Sequence, residues 1–167
     1  APALSVYALN ASGVKGKHNF RDVTIILVTS YTIMCVSVLS LKSITKEERP
    51  DGTSNNSFPS GHTATAFAGA ELLYQEYKKT SPWIGVAGYA VAAGTGLFRI
   101  YNNRHWLTDV AAGAGIGILS TKIAYWIHPW INEKLLEMAS SKECKSSWSF
   151  APLYDGTHTG GMVVIQF

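Results

Sequence analysis

The sequence predicts an all-α fold, a helical bundle of about five or six helices with a short extended C-terminal tail. Three observations lead there. Apolar segments of helical length follow one another along the 167 residues, and clusters of Gly, Pro, Asn and Ser separate them. Only the C-terminal stretch SFAPLYDGTHTGGMVVIQF breaks the pattern, with a Gly-rich turn before a β-branched run that reads as extended or as a small hairpin. With 47% hydrophobic and 15% charged residues, the composition belongs to a protein with a substantial core or membrane contact and excludes a disordered chain. The length fits one domain over 1–167, with 139–167 as an irregular or short β tail.

The first clear helix is Val23 to Leu41, 19 residues without a charge. KSITKEERPDGTSNNSFPSG follows, a charged segment passing into a loop, and Ala64 to Tyr77 forms the second helix. TSPW breaks the chain and offers Pro82 at a first helical position, where its missing N–H costs nothing, ahead of the Gly-spaced segment Ile84 to Phe98. After RIYNNRHWLTD comes Val110 to Ile127, and Pro129 in HPWINEKLLEM is expected to start or kink a further helix. Only Val23 to Leu41 reaches bilayer-spanning length, and it carries Thr24, Thr29, Ser30, Thr32, Ser37 and Ser40. Glu71 and Gln75 interrupt the second helix and Lys122 the fourth, so a soluble or membrane-surface bundle is expected ahead of a polytopic protein.

The formal charge of +3 is too small and too scattered to argue for nucleic acid, although it would not repel phosphate. Cys35 lies in an apolar run and Cys144 in a polar one, which points to free thiols and not to a disulfide. No charged stretch followed by an apolar run opens the chain, so no signal peptide is expected in it.

Polar residues gather at three places against the apolar background: Lys42 with Arg49 and Pro50, Pro59 to His62, and Arg99 with His105 and Asp109. Ser60 is an ordinary N-cap candidate, and His62 alone would read as a first-turn histidine facing water. The N–H groups of a helix start also form an anion site, beside which a histidine can donate a proton. In helical geometry His105 and Asp109, four apart, share a face, so the carboxylate can hold one imidazole nitrogen and leave the other free. Each residue alone has a bland explanation. Three cationic side chains, two histidines and an aspartate at fixed spacings are poorly explained that way.

KSITKEERP fits Lys, six residues, Arg-Pro; PSGH is present in full; and RIYNNRHWLTD fits Arg, five residues, His, three residues, Asp. Together they resemble the three-part signature of the type 2 phosphatidic acid phosphatase superfamily, which includes bacterial lipid phosphatases, class A acid phosphatases and vanadium haloperoxidases. The resemblance implies that His105 attacks phosphorus to give a phosphohistidine, that Asp109 orients and charges it, and that His62 protonates the leaving oxygen and later activates water. It implies further that Lys42, Arg49 and Arg99 clamp the phosphate, with Ser60 and Gly61 adding a hydroxyl and a backbone N–H. Phe98 stands before Arg99 where the family usually has Ser, removing one phosphate hydrogen bond, and the short Asp51 to Phe58 linker argues against a bulky lid.

Phosphoryl transfer asks mainly for positioning and positive charge. The sequence offers no Cys/His pair at zinc spacing and no carboxylate cluster for magnesium, so a reaction without metal or cofactor is expected. A lipid phosphate such as phosphatidate, phosphatidylglycerol phosphate, or an isoprenoid or lipid A phosphate suits the apolar segments, with Trp83, Tyr101, Trp106, Trp126 and Trp130 at a membrane interface, although each aromatic alone reads better as core. The alternatives are a soluble periplasmic acid phosphatase on small phosphomonoesters, then a haloperoxidase or a helical protein without activity. The family setting implies a bacterial periplasmic location, soluble or membrane-associated, or an inner-membrane protein with its site facing the periplasm.

Overall fold

The computed structural model describes residues 2–143, 147–154 and 159–166. Five α-helices follow one another: α1 (Pro2–Ala11), α2 (Phe20–Thr45), α3 (Gly61–Tyr77), α4 (Pro82–Tyr101) and α5 (Leu107–Glu143). Strands β1 (Ser147–Tyr154) and β2 (Thr159–Gln166) then pair antiparallel, Ser147 opposite Gln166. The helical fold and extended tail are as the sequence predicts. The chain divides into two compact units, Ala1–Pro129 and Trp130–Phe167.

Within the first unit α3 is the central helix. Its small residues Ala64, Ala66, Ala68, Gly69 and Ala70 are buried, together with Leu72, Leu73 and Tyr77. Small side chains let neighbouring backbones come close. A Cβ on Gly117 of α5 would stand 2.3 Å from the carbonyl oxygen of Ala64, and one on Gly113 would stand 2.5 Å from that of Ser60. A turn further along, Thr121 Oγ1 donates to Ala68 O at 3.2 Å and pairs with Ser30 Oγ of α2 at 2.7 Å. The apolar contacts fall into one cluster around Val6, Val23, Ile26, Leu72, Leu73, Tyr77 and Ala124, and a second around Met34, Val38, Ala64 and Ala68.

The structure corrects the sequence reading in several places. The first helix, α1, has no sequence counterpart, because PALSVYALNA carries neither a cap signal nor a charge to phase it. It is held from outside: Tyr77 Oη donates to Val6 O at 3.1 Å, and Ala3 packs on Gly69. Pro129 does not start a new helix, since α5 runs through it.

Three helices, not one, are long and apolar enough to cross a membrane: Phe20–Thr45, Pro82–Tyr101 and Leu107–Met138, with mean hydropathies of 2.0, 1.2 and 1.4. Charges such as Arg99 and Lys122 interrupt the runs without lowering the window average enough to disqualify them. No more than 28% of any of these windows is buried inside the protein. The large side chains of Val28, Val36, Leu39, Val86, Val91, Leu97, Leu119 and Ile123 point outward, which water would not favour and hydrocarbon would. Trp83, Tyr101, Trp106, Trp126 and Trp130 are likewise exposed, and none is a core residue.

Candidate active site

The site lies where α2 ends, α3 begins, α4 ends and α5 begins, so two connections carry it. The longer one, residues 46–60, is tied down along its length. Lys46 closes α2 in the left-handed conformation, with its N–H on Lys42 O. Arg49 N–H then donates to Ser54 O at 3.0 Å, and Ser57 N–H to Glu47 O at 2.9 Å. Lys42 Nζ donates to the carbonyls of Asn56 and Ser57, which leaves the third ammonium hydrogen for another acceptor.

The shorter connection is fastened to the longer one. Arg104 pairs with Asp51 at 2.8 Å, Trp106 Nε1 donates to Glu48 O at 3.0 Å, and Ser60 N–H donates to Asp109 O at 3.0 Å.

Asp109 explains why the two histidine-bearing segments meet. It stands in the first turn of α5 and accepts the backbone N–H of Trp106 at Oδ2, 2.9 Å, much as the third residue of a capping box reaches back to the cap. His105 therefore lies in the turn before α5, and the expectation that His105 and Asp109 share a helix face is corrected. They still meet, His105 Nδ1 lying 3.5 Å from Asp109 Oδ2. Ser57 joins them: its Oγ donates to Asp109 Oδ2 and lies 3.5 Å from His105 Nδ1. All three are buried.

A cavity of about 570 Å³ opens beside this cluster, lined by Lys42, Arg49, Asn56, Gly61, His62 and His105 at its polar end. Met34, Cys35, Val38, Leu39 and Thr65 continue it along α2 and α3. Arg49 Nε, Arg99 Nε and Asp109 Oδ1 are buried with no hydrogen-bond partner among the described residues. Arg49 on the cavity wall and Arg99 within electrostatic reach of both histidines thus keep buried donors that an anion can engage.

The histidines register the positive charge. Burial, then Arg99, Arg49 and Lys42, hold the His62 imidazole below its ordinary pKa of 6.5. Burial and then Lys42 do the same to His105, while Asp109 pulls the other way.

Of the residues singled out from sequence, Lys42, Arg49, Gly61, His62 and His105 line the cavity, with Asp109 buried against His105. Arg99 is within electrostatic reach of both histidines but is not part of the lining. Ser60 precedes α3 without a side-chain cap bond; it is buried, its Oγ accepts from Thr63 Oγ1 at 2.9 Å, and it does not line the cavity. Phe98 is exposed. Cys35 is free and lines the cavity, and Cys144 lies outside the described residues.

Sequence reasoning missed Ser57, Asn56 and the apolar wall. The wall had a legible signal, because Met34, Val38 and Lys42 stand four apart on one helix face and lead to the first cation. Ser57 had none beyond its place in SFPSGH, since only the fold brings it to His105 and Asp109.

Several known proteins share sequence or fold with this chain. Over 79 residues the chain is 62% identical to the lipid A 1-phosphatase of Porphyromonas gingivalis, a match covering 47% of this chain and 18% of that protein. Over 75 residues it is 39% identical to the bacitracin transport permease protein BcrC of Bacillus licheniformis, covering 45% of this chain and 35% of that one. The chain thus spans well under half the length of the curated relatives it matches. The crystal structure of Aquifex aeolicus LpxE superposes with a TM-score of 0.57 at 28% identity, covering 74% of this chain and 73% of that one. The profile of the PAP2 superfamily matches residues 22–133, a range that contains all three polar clusters and every residue of the cavity wall, and the chain belongs to that superfamily.

Proposed function

We propose that this chain carries the phosphatase centre of a membrane-embedded enzyme that hydrolyses lipid phosphomonoesters through a phosphohistidine. The observation that carries the lipid reading is the two-part cavity, cationic around Lys42, Arg49, His62 and His105 and apolar along Met34, Cys35, Val38 and Leu39. Those four lie on α2, one of the helices long and apolar enough to cross a bilayer, so a phosphate at the cationic end has room beside it for a hydrocarbon tail. The similarity to a lipid A 1-phosphatase supports the same class of substrate, with phosphatidylglycerol phosphate and isoprenoid phosphates as other members of it.

In this reading His105 Nδ1 faces Asp109 and Ser57, and Nε2 attacks phosphorus as the ester P–O bond breaks. Lys42, Arg49 and Arg99 stabilise the charge on the equatorial oxygens, together with the backbone N–H of Gly61 at the unpaired start of α3. His62 gives its proton to the leaving alkoxide. It then takes one from the water that cleaves the N–P bond, releasing inorganic phosphate and restoring both rings. Ser60 carries Gly61 and His62 at the helix start, its hydroxyl being turned to Thr63.

The lysine distribution supports a non-cytoplasmic site. Away from the site, the connections 12–19 and 78–81 hold Lys15, Lys17, Lys78 and Lys79 with no acidic residue, whereas the site connections mix Lys46, Arg49 and Arg104 with Glu47, Glu48 and Asp51. The positive-inside rule counts Lys and Arg alone, and the four in the first pair of connections against three in the site connections support a cytoplasmic side for the former and a periplasmic face for His105.

The test is turnover in detergent of a long-chain lipid phosphate against a short-chain phosphomonoester, with vanadate and with EDTA. Preference for the lipid, inhibition by vanadate and indifference to EDTA are expected. Equal or better turnover of the short-chain ester would turn the reading to an acid phosphatase, and activity lost in EDTA and restored by magnesium would end it.

A further inference from the structure

The hydroxyl of Ser57 is not needed by the reaction as written, yet it occupies the junction of two central groups. Asp109 Oδ2 already accepts from Trp106 N–H at 2.9 Å and from Ser57 Oγ. The remaining separation, 3.5 Å to His105 Nδ1, is at the outer edge of a hydrogen bond, so the carboxylate alone orients the imidazole weakly. A hydroxyl that gives its proton to the carboxylate keeps two lone pairs, and Ser57 Oγ stands at the same 3.5 Å from Nδ1. The backbone fixes where that oxygen stands. Ser57 N–H is on Glu47 O at 2.9 Å, and Ser57 O accepts from Lys42 Nζ at 3.4 Å. Ser57 is fully buried, so its position is set by these bonds and not by solvent.

We propose that Ser57 is a positioning residue for His105, sharing the Nδ1–H with Asp109 and so holding the ring in the tautomer whose Nε2 lone pair faces the cavity. Through its carbonyl, the same residue sets Lys42 in register with that ring. The proposal rests on His105 being the nucleophile. Wild-type protein is therefore tested first for an acid-labile, base-stable phosphoenzyme, and its absence refutes the nucleophile reading before any Ser57 variant is read.

With that species present, the full chain in detergent is compared as wild type, Ser57→Ala, Ser57→Cys, Asp109→Asn and the Ser57→Ala/Asp109→Asn double variant. Steady-state kcat and KM, single-turnover phosphoenzyme formation and thermal unfolding are measured. Ser57→Ala is expected to lower kcat about tenfold or more, with KM within about threefold, because the loss falls on the attack and not on substrate binding. Ser57→Cys fills the space but is a weak donor and acceptor, so its kcat should stay near that of Ser57→Ala. The double variant should fall little below Asp109→Asn alone, since both changes act on one imidazole. Ser57→Ala retaining kcat within about twofold, Ser57→Cys recovering wild-type kcat, or losses that multiply in the double variant would each overturn the proposal. Should Ser57→Ala not fold, Ser57→Cys decides alone, full kcat against it and reduced kcat for it.

Discussion

Gly113→Ala should disable the site without replacing any residue proposed to bind phosphate. The added Cβ would lie 2.5 Å from Ser60 O and 3.4 Å from both Ala64 N and Ser60 C. A tolerated carbon–oxygen contact is about 3.3 Å, so α5 and the start of α3 must part by roughly 0.8 Å. The obstructing atoms belong to the backbone, and no side-chain rotation can absorb the clash. Overpacking of this kind costs about 1–3 kcal/mol. The displacement also falls where it matters, because Gly113 is one turn beyond Asp109 and Ser60 is two residues before His62. A misplacement of about 1 Å between reacting groups can cost on the order of 100-fold in rate.

Gly115→Ala is the control, since nothing lies within 4 Å of its Cβ, and alanine gains up to about 1 kcal/mol of helix propensity. Measured side by side in detergent, Gly113→Ala should lower both the unfolding temperature and kcat, while Gly115→Ala lowers neither. Indistinguishable behaviour of the two would refute the claim that close approach of α5 to Ser60 sets the site geometry.

His105→Ala should be inactive on every substrate and trap no phosphoenzyme, whereas His62→Ala should be partly rescued on p-nitrophenyl phosphate relative to an alkyl phosphate, because an acidic phenol leaves without a proton; equal impairment of His62→Ala on both would reverse the assignment. Leu39→Trp, on the exposed part of the apolar wall, should raise KM for a long-chain lipid phosphate about tenfold and leave p-nitrophenyl phosphate unaffected, and parallel losses on both would detach that wall from substrate. His62 must be protonated to act as acid and is held below 6.5 in the free protein, so kcat/KM should fall as pH rises through that depressed value. Bound phosphate offsets Arg99, Arg49 and Lys42 and raises His62, so the alkaline limb of kcat should lie at higher pH than that of kcat/KM; coincident limbs would count against His62 as the acid.

What the sequence made legible was local in character. Helices α2, α3 and α4 were visible because each apolar run is bounded by Pro, Gly or a polar cluster, and the motif spacings put the cations and histidines on helix ends. Helix α1 was invisible because its order comes from Tyr77 and Gly69 in another helix, not from its own pattern. The pairing of His105 with Asp109 was foreseen on a wrong premise. Four residues apart suggested a shared helix face, while the actual device is a helix start at which Asp109 caps Trp106 and His105 hangs just outside. The sequence offers the tryptophans both as interface and, taken singly, as core residues; the core reading fails because single-residue burial odds are drawn from water-soluble proteins, and here many exposed side chains are apolar.

The placement of His62 depends on α3 being fixed at its start by the backbone carbonyl of Asp109 and at its far end by the buried carboxylate of Glu76. At the start, Ser60 N–H is held by Asp109 O, and the Asp109 side chain engages Ser57, Trp106 and His105. At the far end, Glu76 accepts from the backbone N–H of His18 at 2.9 Å, from His18 Nδ1 at 2.8 Å and from Tyr125 Oη at 2.5 Å. An unpaired buried carboxylate would be costly, and three donors from two other parts of the chain offset that cost only while α3 keeps its position along its axis. A Cβ on Gly16 would stand 2.9 Å from Glu76 Oε2, which accounts for glycine where the N-terminal segment crosses the helix. Between these ends the seam of Ala64, Ala68, Gly113 and Gly117 brings α3 and α5 to backbone contact. A shift of α3 by a fraction of an ångström would therefore strain the seam, the Ser60–Asp109 backbone bond and the Glu76 network together. His62 inherits its register against His105 from that coupling, although no contact between the two rings supplies it.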